Sequence, residues 1–396
     1  MQEDFHYYAT YCASFLAGFS HEESVKIAKG AQFVDLCTKT LLQSIGAPEA
    51  AATTQLQMEM MDAGADPVSL QMITRIWASF HFLPYDLYAA YPYRKRVSRR
   101  YLRKYRLICR PNGALVADTV KLAKGKSLQA AGIAMHVLAD TWAHQNFAGT
   151  PSLVINNTDR YFNELVPNEE NPAGEKYARR PITFRHALGK ADDLERSLFT
   201  NTIYQSDENS VMNLGHGRAG HLPDYSFIRY EYQPAWGGYE MLVKDNPSDY
   251  YKAFCQMIYA LRYLRGDFPD FVTDTYDEQT PAPFEERIHQ ILEKRQLSAS
   301  GDWKAFGESL SGNEVPVFSM DAEKEAYRAA PPDQKDETEL GRFIVAALAQ
   351  KSMVTNRIYT SKNLLAGFSV DYHSKGFKGI REYAALLREY RKEQKK

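Results

Sequence analysis

The stretch Met135-His-Val-Leu-Ala-Asp-Thr-Trp-Ala-His-Gln-Asn-Phe-Ala-Gly149 places His136, Asp140 and His144 at four-residue steps in an otherwise apolar run. On an α-helix, residues four apart are offset by about 40° around the axis, so the three groups project from one side over about two turns. A lone histidine on an apolar helix reads as a satisfied core residue. Three polar groups in register are different, because burying each without a partner would cost on the order of 1–3 kcal/mol. Zinc takes imidazole nitrogen and carboxylate oxygen at about 2.0–2.2 Å, and two ligands one helical turn apart can share an ion. A carboxylate between them can bridge two ions, the geometry that two-metal hydrolases need. The pattern therefore predicts a metal-binding helix, opened by Ser127 as its N-cap after a break at Gly125.

Outward from that helix, the chain is a mainly α protein. Residues 5–18 are apolar and aromatic at helical spacing, and Ser20 with Glu23 three residues on forms a capping-box pattern for a helix running through Val34 toward Leu42. Residues 46–70 are ambiguous, and 71–90 break at Pro84. The stretch RLICRPNGALVA, residues 106–117, reads as two short strands about a Pro-Asn-Gly turn, a small β-hairpin. Residues 150–180 read as a long loop, 184–200 and 249–265 as helices. The Pro- and Asp-rich segment 267–285 is a candidate linker between a core, 1–266, and a helical C-terminal extension, 286–396, that ends in a basic tail. There is no internal repeat.

The bulk numbers fit a globular protein. Hydrophobic residues are 44% and charged residues 24% of 396, which is enough apolar material for a core without the composition of a disordered chain. Net charge is −1, so attraction to polyanions must come from a local patch. Cys12, Cys37, Cys109 and Cys255 form no CxxC pair, which argues against a cysteine zinc site and against a disulfide framework. The start MQEDFHYYATYC lacks a basic region before an apolar stretch, and no run of about 18 apolar residues exists, so the expectation is a cytoplasmic protein with no transmembrane segment.

Of ten histidines, several others lie in apolar or glycine-rich contexts: His6 in DFHYY, His81 in SFHFLP, and His216 and His221 in LGHGRAGHLPD, with Asp224 three residues after His221. Asp35 is a lone carboxylate late in an apolar helix. By contrast His21, His186, His289 and His373 have charged or polar neighbours.

The ordered set His6, Asp35, His81, His136, Asp140, His144, His221 and Asp224 resembles the ligand order of the zinc-dependent phospholipase C and S1/P1 nuclease superfamily. FHFLP, TWAHQNF and GHGRAGHLPD more closely resemble an uncharacterised bacterial family of unknown function, a distant branch of that superfamily. The resemblance covers about residues 1–260. It implies an all-helical phospholipase C/P1 nuclease-like core, two or three zinc ions, and hydrolysis of phosphoric esters in lipid or nucleic acid. Carried over, Asp35, His81, His136 and Asp140 would hold one ion; His144, His221 and Asp224 a second; His6 and Asp140 a third. Asp140 would bridge, Asp35 would deprotonate the attacking water, and His216 or Arg218 would face the phosphoryl or leaving oxygens.

Three departures qualify the match. Superfamily members use the amino group of an N-terminal Trp, and this chain begins Met-Gln; Asp4 would substitute if its segment were extended, since residues i and i+2 then point the same way. His221 and Asp224 are three apart rather than four, with His216 competing, and His144 follows Asp140 unusually closely. A rival reading is a zinc-stabilised helical interaction module without catalysis.

One charged patch stands out. Arg94, Lys95, Arg96, Arg99, Arg100, Arg103, Lys104, Arg106 and Arg110 fall with no acid between Asp86 and Asp118, interleaved with Tyr93, Tyr101 and Tyr105. Two readings are open: a polyanion contact through residues 94–110, to nucleic acid or an anionic membrane, or a solvated helix face balanced by acids elsewhere.

Overall fold

The structure, a computed structural model, describes residues 1–363 apart from 57, 61–66, 95, 159–160, 169–175, 187–190, 202–210 and 239. The chain is mainly helical with a small antiparallel sheet. A π-helical turn, Asp4–Ala9, runs into α1 (Thr10–Leu16). Then α2 (His21–Leu36) opens on the expected capping box: Ser20 accepts from the Glu23 amide, and the Glu23 carboxylate accepts from the Ser20 amide. It stops at Leu36 instead of reaching Leu42, because Thr38 caps a separate α3 (Lys39–Ser44) by accepting from the Leu41 amide. Next come α4 (Pro67–Phe80), α5 (Arg99–Tyr105), α6 (Ala114–Ala123) and α7 (Leu128–Ala143), with Ser127 capping α7 as its sequence predicts.

α7 is the central helix. Every residue from Ala131 to Ala143 is buried, which explains why its apolar residues are not confined to one stripe. Its closest neighbour is α2, and two glycines make that approach possible. A Cβ on Gly132 would lie 2.3 Å from the Ile27 carbonyl oxygen, and one on Gly30 would lie 2.8 Å from Gln129 Cα. Backbone contact there sets Asp35, in the last turn of α2, level with His136.

The expected hairpin at 106–117 does not form. Asn112 does take the left-handed conformation of a turn, with φ 65°, but Gly113 then starts α6, which buries Leu115, Val116, Thr119, Val120 and Ala123 at helical spacing. Upstream, single bridges pair Pro84 with Cys109 and Ile108 with Ala148. The β structure lies where a loop and a helix were expected. The loop 150–180 contains α8 (Leu153–Asn156), β1 (Asn163–Pro167) and β2 (Tyr177–Pro181). The described part of 184–200 holds β3 (Thr183–Arg185) and β4 (Leu198–Thr200), a parallel pair, in place of the expected helix. With β5 (Arg229–Tyr232) and β6 (Leu242–Asp245), the main sheet has the order β2-β1-β5-β6, all antiparallel. Three short 3₁₀ turns within residues 211–224 carry the chain back from β4 toward α7.

α9 (Asn246–Arg265) follows, then α10 (Glu285–Glu293), α11 (Ser300–Ser311), α12 (Met320–Ala329) and α13 (Glu339–Thr360). These last helices share one hydrophobic core with the N-terminal ones, a core that contains Phe5, Phe33, Phe271, Trp303, Phe343 and Ile358 together. The connecting segment 267–285 contributes Phe271 to it. Phe5 packs edge-on against Tyr250 and Trp303, with centroids 4.9 and 6.0 Å away. The basic tail falls outside the described residues. No helix among those described is long and apolar enough to cross a membrane.

Candidate metal centre

His136, Asp140 and His144 lie on the buried side of α7 facing α2, the end of α4 and the 211–224 turns. His136 Nδ1 lies 2.9 Å from the Ala31 carbonyl, His144 Nδ1 2.8 Å from that of His81, His81 Nε2 3.0 Å from that of Thr53, and His216 Nδ1 2.8 Å from that of Gly220. A carbonyl oxygen only accepts, so each of these nitrogens carries the hydrogen. In each neutral ring the other nitrogen is then a lone pair. Those second nitrogens converge on carboxylates.

Two groups result, one on Asp140 and Asp35 and one on Asp224, with the Met1 nitrogen between Asp140 and Asp224. In the first, His81 Nδ1 and His136 Nε2 lie 3.4 Å apart, 3.2 and 3.1 Å from Asp140 Oδ2, and each 3.8 Å from Asp35 Oδ1. In the second, His144 Nε2 and His216 Nε2 lie 3.1 and 3.7 Å from Asp224 Oδ1. His6 Nε2 reaches Asp140 Oδ1 at 3.1 Å, its ring stacked on His136 at 3.6 Å between centroids. That approach aside, neither ring nitrogen of His6 has a well-aligned hydrogen-bond partner among the described residues, although the side chain is fully buried. Three sets of donors close enough to share an ion follow: His6, His136 and Asp140; Asp35, His81 and His136; His144, His216 and Asp224.

The electrostatics suit a cation. Burial pushes the carboxyls of Asp140 and Asp224 up, but the neighbouring imidazoles and the Met1 ammonium more than offset it and hold both well below the usual carboxylate range. Burial drives His6 down to about 4 and His216 likewise to about 4, so both rings are neutral at neutral pH. Ionised carboxylates with neutral imidazoles are the donor state that metal binding requires. The amino nitrogen of Met1 sits 2.9 Å from Asp140 Oδ1, 3.1 Å from Asp224 Oδ1 and 3.1 Å from His144 Nε2. Burial opposes its charge, yet Asp140, Asp224 and Asp35 hold its pKa up at about 11.

A tetrahedral ion about 2.0–2.1 Å from each donor spaces those donors by about 3.3 Å. The donors of the first group, 3.1–3.8 Å apart, fit that edge. Two cavities of about 480 and 360 Å³ lie elsewhere in the fold, and the chemistry goes with the donors rather than with the larger volumes.

Residues 1–358 match the family of unknown function DUF6765. The chain belongs to this family. The match runs through α13, so in this DUF6765 chain the C-terminal helices fall within the family's extent, beyond the 260 residues that the sequence motifs reach. No curated protein and no solved structure matches it.

Most of the residues singled out in sequence come together here: His6, Asp35, His81, His136, Asp140, His144 and Asp224, with His216 in the place expected of His221. The His221 side chain is 60% exposed and lies on the outer side of Asp224, its Nδ1 3.2 Å from Oδ2. The Asp224 hydrogen bond pulls the His221 pKa up. Asp4 does not join the cluster. Its segment is a π-helical turn, not an extended strand, and its carboxylate accepts from the amides of Phe5 and Ala299 at 2.8 and 2.9 Å. Arg218 is buried, with Nε donating to Asn213 Oδ1 at 3.0 Å. What sequence reasoning missed is Met1, which enters through a backbone amine that no side-chain pattern encodes. For His216 there was a signal: glycines at 215 and 220 both take positive φ, and the turn they make delivers the Gly220 carbonyl to His216 Nδ1.

Proposed function

We propose that this centre holds two divalent ions, with zinc suiting its nitrogen and carboxylate donors best, and that it hydrolyses phosphoric ester bonds. The observation that carries the reading is the inward convergence of imidazole lone pairs, fixed by carbonyls behind each ring, onto Asp140 Oδ2 and Asp35 in one group and onto Asp224 in the other. The Met1 ammonium offsets Asp224 and the Oδ1 side of Asp140, whereas the lone pairs of His81 and His136 face Asp140 Oδ2 and Asp35 with no cation between them among the described residues. His81, His136, Asp35 and Asp140 Oδ2 form one site and His144, His216 and Asp224 the other; in this reading Asp140 bridges them through Oδ1, which lies beside His6 and the Met1 nitrogen. When bound, such a pair of ions supplies hydroxide at neutral pH and neutralises phosphoryl charge.

The chain's own residues have distinct parts in this reading. Asp35 is the ligand with an open side, 28% exposed, and it is placed to orient an attacking water and accept its proton. His221 stands on Asp224 at the solvent edge. Arg218 is tied to the 211–224 turns through Asn213. The resemblance to the phospholipase C and P1 nuclease superfamily supports the reaction class. The near-complete burial of His6, His136 and Asp140 favours a second reading, a closed zinc site that only staples helices.

Turnover of a chromogenic phosphodiester separates the two. The hydrolase reading expects activity that a chelator removes and zinc restores, and an Asp35→Asn variant slowed by about 100-fold or more when compared at equal zinc content. If zinc-loaded protein leaves that ester, single-stranded nucleic acid and phospholipid all uncleaved, the stapling reading stands instead.

A further inference from the structure

The metal centre leaves the basic segment unused. Its arginines are not explained by internal ion pairing: Arg94, Arg96, Arg99 and Arg103 make no ion pair with another described residue. Arg99 and Arg103 are i,i+4 neighbours on α5, a like-charge spacing that weakens a helix. Next in that row, at i+7, Arg106 donates from Nε to the Ala89 carbonyl at 2.9 Å and from Nη2 to that of Tyr88 at 3.4 Å. That row therefore abuts the loop carrying Tyr85 and Tyr88, whose side chains are 42% and 69% exposed.

The tyrosines interleaved with the arginines are already occupied. Tyr91 packs against Tyr93, Tyr101 and Tyr105 with centroids 5.0–5.4 Å away, Tyr91 OH donates to the Gly237 carbonyl, and Tyr93 OH donates to Glu240. Their rings and hydroxyls are engaged with one another and with residues 237 and 240, so Tyr85 and Tyr88 are the tyrosines beside the arginines that reach solvent most. What reaches solvent is a row of guanidinium groups flanked by amphipathic tyrosines, the composition of a protein face that rests in the headgroup layer of an anionic bilayer. Both ends of the excursion return to the metal centre. Pro84, three residues past His81, bridges Cys109, and the Cys109 amide donates to the Phe147 carbonyl, three residues past His144.

We propose that the exposed Arg94, Arg96 and Arg99 and the half-buried Arg103, with Tyr85 and Tyr88 beside them, dock this protein on an anionic lipid surface. The inference does not depend on the metal centre being catalytic, and metal content is a separate readout.

The test is co-sedimentation of the full chain with vesicles of phosphatidylcholine alone or with about one-third phosphatidylserine. Wild type is expected on the phosphatidylserine vesicles only, less so as salt rises. Replacing Arg94, Arg96, Arg99 and Arg103 by Gln should weaken partitioning by about fivefold per arginine, with thermal midpoint and metal content unchanged. Tyr85→Ser with Tyr88→Ser should weaken vesicle binding and leave heparin binding intact. Indifference of wild type to phosphatidylserine, or unchanged binding by the Gln variant, overturns the proposal. So does displacement from vesicles by duplex or single-stranded nucleic acid at lower phosphate concentration, which would make the face a polynucleotide site.

Discussion

Asp140 on α7 and Glu164 on β1 are both buried carboxylates, and their surroundings are opposite. Glu164 is ringed by donors: Arg295 through two nitrogens, Arg180 Nη2 at 2.6 Å and Ser197 Oγ at 2.9 Å. Asp140 faces the second nitrogens of His81 and His136 through Oδ2 and the Met1 ammonium through Oδ1. The first arrangement is complete as it stands and ties the sheet to the segment after α10. The second leaves the Oδ2 side of Asp140, with His81 and His136, without a donor among the described residues. A buried carboxylate is therefore read by which way its neighbours' hydrogens face, more than by its own burial.

The largest expected effect separates the two centres by chelation. Stripping metal should lower the thermal midpoint steeply, since a ligand at about 1,000 times its Kd contributes about 4 kcal/mol to the folded state. Glu164→Ala should leave metal content untouched. Its own cost should be about 3 kcal/mol by urea unfolding, the low end for breaking a buried pair, because Arg295 and Arg180 are partly exposed and can turn to water.

The Glu164 clamp also carries a pH signature. Burial pushes its carboxyl up, but Arg295 and Arg180 outweigh that and hold its folded pKa below 4.5. A depressed carboxyl stabilises above its unfolded pKa and loses that contribution as pH falls through the folded one. The stability gap between wild type and Glu164→Gln should accordingly be full at neutral pH and shrink below pH 4.5.

Smaller effects test the geometry around Asp140. Gly132→Ala should push α2 from α7, cost about 1–3 kcal/mol, and weaken the site that Asp35 shares with His136. His221→Ala should change stability by no more than about 0.5 kcal/mol and keep both ions, whereas His216→Ala should empty one. The reverse result would return the ligand role to His221.

How far the sequence spoke is clear from these same residues. Ser20, Glu23 and Ser127 announce α2 and α7 because capping is local chemistry, and the imidazoles announce themselves by sitting among apolar neighbours. A spacing rule sets Asp4 beside His6 only in an extended segment, and the π-turn at 4–9 is not one; the resemblance sets His221 in the ligand group, and the glycine-bounded turn at 215–220 brings in His216 instead. The Asn112-Gly113 pair made its turn, but helical periodicity after it decided that a helix rather than a returning strand would follow. The sheet stayed hidden because Asn163 pairs with Glu231, a partner that no local pattern points to.

Metal content by mass spectrometry, in wild type, Asp140→Asn and His144→Ala, tests the central claim most directly. Two ions per chain in wild type, none in Asp140→Asn and one in His144→Ala is the result a bridging Asp140 predicts. A metal-free wild type after growth and purification with zinc would contradict it.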